Sequence, residues 1–338
     1  MKAVILHGKY DVSVEDFPVA TVGETDVKIA VSYCGLCGSD LHKYEGKKNT
    51  HPIHYPVPLG HEISGHVVEV GSRAAGFKVG DPVTIDPNWS CGRCSFCQRG
   101  LTQFCVNARG VVKGMAQYVV APVENVYHLP EEMDLRVAAL TEPAACCLHG
   151  MDLLDMHLGD VGAIVGFGAI GQIMFQLMHA AGASSIYVID TDESKRERAE
   201  EFGAAGFVLA TDAEAISRLA QSVNIDKVME CVGVHEAQQM AILLAGKGAT
   251  VVLFGVSDEA DVLPFSAYEA FTKELTIKTS FVNPHTTQRA IAVLNSGLLD
   301  TDKLICKELS MEEIVTELAE RKYCRSGKVI VKIDENLR

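Results

Sequence analysis

Four cysteines crowd one stretch of the chain: Cys91, Cys94, Cys97 and Cys105, spaced CxxCxxCx7C. Such spacing lets one loop wrap its sulfurs around a tetrahedral ion. Zinc suits four thiolates, and the closed shell leaves no position for a substrate. An iron–sulfur cluster also draws on closely spaced cysteines, and four unrelated buried thiols is the plainer alternative. Read as structural zinc, the loop orders its own backbone and does no chemistry. Other ligand types are scattered. Cys34 and Cys37 stand in CGLCGSDLH, His61 and Glu62 in GHEISG, and Glu142 in TEPAA. Spacing alone does not join them, and a lone His or Glu is more often a satisfied structural residue than a ligand.

A second chemistry is written in glycines. Gly166-Phe167-Gly168-Ala169-Ile170-Gly171 reads GxGxxG, after the strand-like run Ala163-Ile164-Val165 and at the start of a helix-like stretch. The first glycine permits a tight turn, the second lets the backbone approach a pyrophosphate, and the third lets helix and strand pack closely. Free N–H groups and the helix dipole favour the anion. Asp190 ends the next strand-like run, 19 residues after Gly171. A carboxylate there can bond both ribose hydroxyls and repel a 2′-phosphate, which favours NAD over NADP. Lys195 and Arg196 could instead accept a phosphate, although a solvated helix face is the commoner role for such residues. The alternative is a packing turn, with Asp190 capping the next helix.

The elements that must position these groups fall into two patterns. Residues 1–140 hold short apolar runs broken by Gly, Pro and Asp, such as Val27–Val31, Val67–Val70 and Gln117–Val120, as an irregular barrel or sandwich would. Residues 150–285 alternate strand-like runs (163–165, 186–189, 227–229, 250–254) with helix-like stretches such as Asp192–Phe202, which implies a parallel, doubly wound α/β sheet. A helix is expected near Met311–Arg321 and a strand over Lys328–Ile333. The chain has 338 residues, which suggests two domains and a core that needs no disulfide or metal staple. Its net charge of −14 makes it a poor binder of nucleic-acid backbones. Eleven cysteines without a secretory signal point to a reducing cytoplasm rather than a disulfide framework. From Val161 to Ile189 no charged Asp, Glu, Lys or Arg occurs, a length that could span a bilayer. Its five glycines, two glutamines and one histidine fit a buried strand–turn–helix better, so no membrane association is expected.

Taken in order, these motifs resemble the zinc-dependent medium-chain dehydrogenase/reductase superfamily, and within it the sorbitol (polyol) and threonine dehydrogenase branch. The resemblance rests on CGLCGSDLH, on GHEISGHVVEVGSRAAGFKVGDPV from Gly60 to Val83, on the four-cysteine loop, on TEPAA, on GFGAIG and on Glu230-Cys231-Val232-Gly233. It covers nearly the whole chain. It implies a GroES-like β-rich catalytic domain over residues 1–148, completed by 285–338, and a Rossmann NAD-binding domain over 149–284. It implies a catalytic zinc on Cys37, His61 and a carboxylate, Glu62 or Glu142, besides the structural zinc on Cys91, Cys94, Cys97 and Cys105. Cys34 is then a core residue, and His51, His54 and His66 match no ligand position.

The same resemblance implies a reaction. The zinc acts as a Lewis acid that makes an alcohol acidic, so that its carbon can give hydride to the nicotinamide. Ser39 and His42 are placed as a proton relay. Ile170, Asp190 and Lys195 are assigned to the adenosine half of NAD. Phe254, Gly255, Val256, Ser280, Phe281 and Val282 are assigned to the nicotinamide half. The expected substrate is a secondary alcohol, a polyol or sugar alcohol, and the expected assembly a homodimer or homotetramer. The chain departs from the pattern at Lys113–Tyr118, which is short and has Met115 where Phe is usual, and at Lys43, where sorbitol dehydrogenases often carry an aromatic residue. An L-threonine or 2,3-butanediol dehydrogenase therefore stays open. So do a zinc-independent reductase and a non-enzymatic zinc and dinucleotide binder.

Overall fold

The computed structural model describes residues 1–47, 53–111 and 113–333, and His51 lies outside them. Two compact units result. The first comprises Met1–Ala145, Val282–Gly297 and Thr301–Arg338, and the second Cys146–Phe281 with Leu298–Asp300. The helix Thr141–Leu154 runs through the boundary.

The first unit is organised on one long strand, Asp26–Gly35. Val27, Ile29 and Val31 alternate into the core, and Cys34 joins them, wholly buried. Along one edge the strand pairs antiparallel with Glu62–Val70 over nearly its full length. The other edge is shared. Residues Asp26–Ala30 pair with Tyr118–Pro122, and residues Tyr33–Gly35 pair with Lys328–Lys332. A strand from the far end of the chain is thus built into the middle of the sheet, flanked outside by the parallel strand Ile305–Leu309. The expected helix runs Met311–Glu320, started by a reciprocal Ser310–Glu313 capping box.

The second unit holds a six-stranded, wholly parallel sheet in the spatial order Gly206–Leu209, Ser185–Asp190, Val161–Val165, Ile225–Glu230, Ala245–Leu253, Thr276–Thr279. Numbered within the sheet this is 3-2-1-4-5-6, the Rossmann order, with its switch point between Val161–Val165 and Ile225–Glu230. Val161–Val165 is buried along nearly its whole length, as a strand covered on both faces must be. The uncharged stretch 161–189 resolves into that strand, the helix Ala169–Ala180 and the strand Ser185–Asp190. Among the described residues no helix is long and apolar enough to cross a membrane.

The insertion of the tail strand yields a stability test. Ile330 is fully buried opposite Gly35. Ile330→Ala should cost about 2–5 kcal/mol in urea unfolding; a loss below about 1 kcal/mol would mean that this strand is peripheral to the core.

Candidate active site and metal centres

Two distant segments of the first unit converge. Cys37 stands where the long strand gives way to the helix Gly38–Tyr44, as its N-cap. Gly60, held at φ 84°, turns the chain into the strand Glu62–Val70. A side chain at Gly60 would strike Cys34 and Met115. The result brings the Cys37 sulfur, a His61 ring nitrogen and a Glu62 carboxylate oxygen within 4.8 Å of one another. One thiol, one imidazole and one carboxylate make a donor set that suits zinc with a position left open. Glu142 is outside this cluster, in the first turn of the helix Thr141–Leu154. Its carboxyl is pushed up to about 8 by burial, aided by Glu62 and Cys37 and opposed by His61 and Lys328, so it shares the field of the site.

Asp40, fully buried, ties the two segments together. Its carboxylate accepts the Cys37 N–H at 3.4 Å, the Gly60 N–H at 3.2 Å and the Lys43 ammonium at 3.2 Å, and lies 3.8 Å from His61 Nδ1. Lys43, His61 and the Gly60 N–H hold this carboxyl below its ordinary range although burial alone would raise it. A carboxylate this near one imidazole nitrogen favours one orientation of the ring and raises its basicity.

Behind Glu62 stands Lys328, from the tail strand. Its ammonium donates to Glu62 Oε1 at 2.5 Å and to the Leu36 carbonyl at 2.9 Å. Glu62 is 1 % exposed and Lys328 3 %. The slot that holds them exists because residue 35 is glycine. A Cβ at Gly35 would collide with the Glu62 carboxylate and the Lys328 stem. Removing one member of such a buried pair typically costs about 3–5 kcal/mol, because the other charge is left uncompensated.

Ser39 and His42 lie on the helix that Cys37 caps, and the Ser39 backbone N–H faces the Cys37 sulfur. His42 is half-buried, and burial, with Lys47 and Arg321, lowers its pKa below the ordinary value. Among the described residues no hydrogen bond joins the Ser39 and His42 side chains. Of the remaining histidines, His54 is exposed and His66 is half-buried in the strand Glu62–Val70.

The four-cysteine loop is closed at its base by a two-stranded ribbon, Asn88–Trp89 against Arg109–Gly110, with the Arg109 guanidinium 4.4 Å from the centre of the Trp89 ring. Cys91, Cys94, Cys97 and Cys105 place their sulfurs within 4.8 Å of one another, and all four are free thiols. The Cys91 and Asn107 N–H groups point at the Cys105 sulfur, at 3.3 and 3.4 Å. Cys91 is lowered to about 6, first by the Arg93 N–H and then by Asn107. Partial burial and the sulfurs of Cys94 and Cys105 push Cys97 up to about 11. Crowded thiols that resist joint ionisation fit a site completed by a cation, which displaces their protons.

In the second unit the dinucleotide candidates collect at the carboxyl ends of the strands, where ligands bind in open α/β sheets. Gly166 turns at φ 95°, and Gly171 packs where a Cβ would strike the Gly166 carbonyl. At Gly168 the same Cβ would meet open space, so the backbone is accessible at the N-cap of Ala169–Ala180. Ile170 is in the first turn of that helix. Phe254, Gly255 and Val256 follow the strand Ala245–Leu253, and Ser280 and Phe281 follow Thr276–Thr279. The buried Ser280 hydroxyl has no hydrogen-bond partner among the described residues. Val282 belongs to the first unit and carries φ 50°. Asp190 is already engaged. Its Oδ2 accepts the Phe167 N–H at 2.6 Å and the Lys195 ammonium at 2.8 Å, and its Oδ1 accepts the Asp192 N–H at 3.0 Å. The charge that would repel a 2′-phosphate is therefore partly offset by Lys195.

Asp40 and Lys328 were not assigned roles from sequence. Asp40 had a signal, an acid three residues into a helix whose N-cap is Cys37. Lys328 had none, since 266 residues separate it from Glu62.

The chain matches the family model of the alcohol dehydrogenase GroES-like domain over residues 23–131 and that of the zinc-binding dehydrogenase over residues 169–296. It is 33% identical to a sorbitol dehydrogenase of Halalkalibacterium halodurans, across 93% of this chain and 94% of that one. It is 30% identical to D-arabinitol dehydrogenase 1 of Uromyces fabae, across 98% and 97%. Among solved structures, a putative zinc-binding dehydrogenase of Sinorhizobium meliloti 1021 bound to NADP superimposes with a TM-score of 0.90, at 33% identity over 98% of each chain.

Metal analysis separates the two centres. Cys94→Ser and Cys37→Ser should each lower the zinc content by one ion per chain, and only the first should also lower the melting temperature of the purified protein strongly. Loss of both ions on either substitution would contradict independent centres. Lys328→Met should leave the cysteine-loop ion in place while changing how fast a chelator strips the other.

Proposed function

The chain belongs to the zinc-dependent medium-chain dehydrogenase/reductase family, and from that premise we propose that it transfers a hydride between a secondary alcohol group of a polyol and NAD. The observation that carries the reading is the convergence of Cys37, His61 and Glu62 within 4.8 Å, from segments joined by Asp40. When bound there, zinc supplies the Lewis acidity that makes an alcohol acidic, and the nicotinamide supplies the hydride acceptor.

The chain's own residues do the rest. Cys37, His61 and Glu62 hold the ion, and Glu142 lies ready as a second carboxylate in the same field. Asp40 fixes the His61 ring, and Lys328 fixes the Glu62 carboxylate. Ser39 and His42 move the substrate proton outward; the neutral His42 ring, with its lowered pKa, accepts it. Gly166, Gly168 and Gly171 cradle the pyrophosphate. Asp190 receives the adenosine ribose, with Ile170 and Lys195 beside it, and residues 254–256 and 280–282 face the nicotinamide half. The names of the arabinitol and sorbitol relatives support a polyol substrate. NAD is preferred over NADP on the strength of Asp190, less sharply than an unpaired carboxylate would make it. The proposal includes a catalytic domain of residues 1–148 with 285–338, a cofactor domain of 149–284, and a cytoplasmic homodimer or homotetramer.

A screen of polyols and simple secondary alcohols with NAD and NADP, read at the absorbance of the reduced cofactor, tests the activity. Cys37→Ser should abolish turnover and Cys34→Ser should not; equal effects would refute the ligand assignment. Asp190→Ala should lower the NAD to NADP preference, measured as a ratio of kcat/KM, and an unchanged ratio would remove Asp190 from the ribose site. With wild-type protein, activity should fall as pH drops through a midpoint below about 6.5, where His42 takes up its proton. His42→Ala should remove that limb of the profile.

A further inference from the structure

The segment Glu230-Cys231-Val232-Gly233 is given no chemical role by the reading above, yet it holds one of the most deeply buried charges of the second unit. Glu230 is the last residue of its strand, at the switch point of the sheet, and is fully buried. Its Oε1 accepts two backbone N–H groups, from Val232 at 2.6 Å and Gly233 at 2.7 Å. The Gly255 N–H faces the same carboxyl from the loop after the neighbouring strand. The main-chain carbonyl of Glu230 accepts Phe254 N–H at 2.9 Å and Gly255 N–H at 3.2 Å. Its other side-chain oxygen, Oε2, is buried and has no hydrogen-bond partner among the described residues.

Around this residue two loops meet backbone to backbone, and a third packs on the side chain of one of them. A Cβ on Gly233 would strike the main chain of Val256, and one on Gly255 would strike the main chain of Gly233. A Cβ on Gly166, the first glycine of the nucleotide turn, would strike the Val232 side chain. No side chain fits at Gly233 or Gly255, so the spacing of those two loops is set by whatever holds the main chains. Burial pushes the Glu230 carboxyl up, against the Gly233, Val232 and Gly255 N–H groups that favour its ionised form. A turn with only a structural role would be made more cheaply by an Asn or Ser, because a buried carboxylate oxygen without a partner is costly.

We propose that Glu230 is a positioning residue for the dinucleotide. Its carboxylate holds the loop 231–233, whose Gly233 packs against the main chain of Val256, and so sets the wall that receives the nicotinamide half, while the adenosine half, held from Asp190, is independent of it. The inference rests on the cofactor reading above.

The test uses the full chain with its zinc bound. NADH and NADPH binding is followed by nicotinamide fluorescence, and AMP binding, which engages only the adenosine half, by calorimetry. Glu230→Ala should raise the Kd of the preferred reduced cofactor by about tenfold or more, leave the Kd of AMP within about twofold, and leave the zinc content unchanged. Glu230→Gln, whose Oε1 can accept the same two N–H groups, should recover most of the dinucleotide affinity. If Glu230→Ala does not fold, Glu230→Asp, one methylene too short to reach both groups, is read by the same criteria. Equal weakening of AMP and dinucleotide would overturn the proposal by making Glu230 a general structural residue. So would unchanged dinucleotide binding, or a glutamine variant no better than alanine. Wild-type protein that binds neither reduced cofactor would instead refute the dinucleotide reading itself.

Discussion

A carboxylate taken out of water must be answered by a cation or by hydrogen bonds, and in the first unit that demand organises the site. Glu62 is almost wholly buried and is met by Lys328, which arrives on a strand from the far end of the chain. The pair has room only because Gly35 has no side chain. Strand order, the absence of a Cβ and the position of the Glu62 carboxylate are therefore one constraint. A buried ion pair is weak evidence for stability on its own account. Here its effect is to specify place: it holds one of the three converging donors against a fixed backbone.

Asp40 applies the same logic to the other two donors. Its carboxylate is shared between the N–H of Cys37, the N–H of Gly60 and Lys43, and it faces His61. Cys37 and His61 belong to loops that no strand pairing brings into register at these residues. A buried acid that accepts from both backbones closes that gap. The Lys43 ammonium donates to Asp40 and, with His61, supplies the compensation that favours its ionised form.

Much of this was legible in the chain itself, and the reasons differ by element. The parallel sheet showed through because strands covered on both faces read as unbroken apolar runs, and because Gly166, Gly168 and Gly171 mark a turn that few other residues can make. The cysteine loop showed through because its ligands are local in sequence. The cluster of Cys37, His61 and Glu62 could be assembled only by resemblance, since nothing in spacing brings those segments together. Lys328 was invisible. Its partner is distant in sequence, and a lysine opening a strand otherwise reads as a solvated edge. The Asp190–Lys195 pair was half visible: both residues were noted, but their mutual neutralisation depends on a 2.8 Å contact that no pattern encodes.

The split edge of the strand Asp26–Gly35 bears on how the molecule comes into being. Tyr118–Pro122 can take its half of that edge before the second unit is made, but the other half waits for Lys328–Lys332, which follows that unit. The parallel sheet, drawn from one nearly continuous run, emerges from the ribosome complete while the earlier sheet still has an open flank. The converging donors Cys37, His61 and Glu62 are thus made before the parallel sheet and acquire their charge balance only after it, when Lys328 arrives.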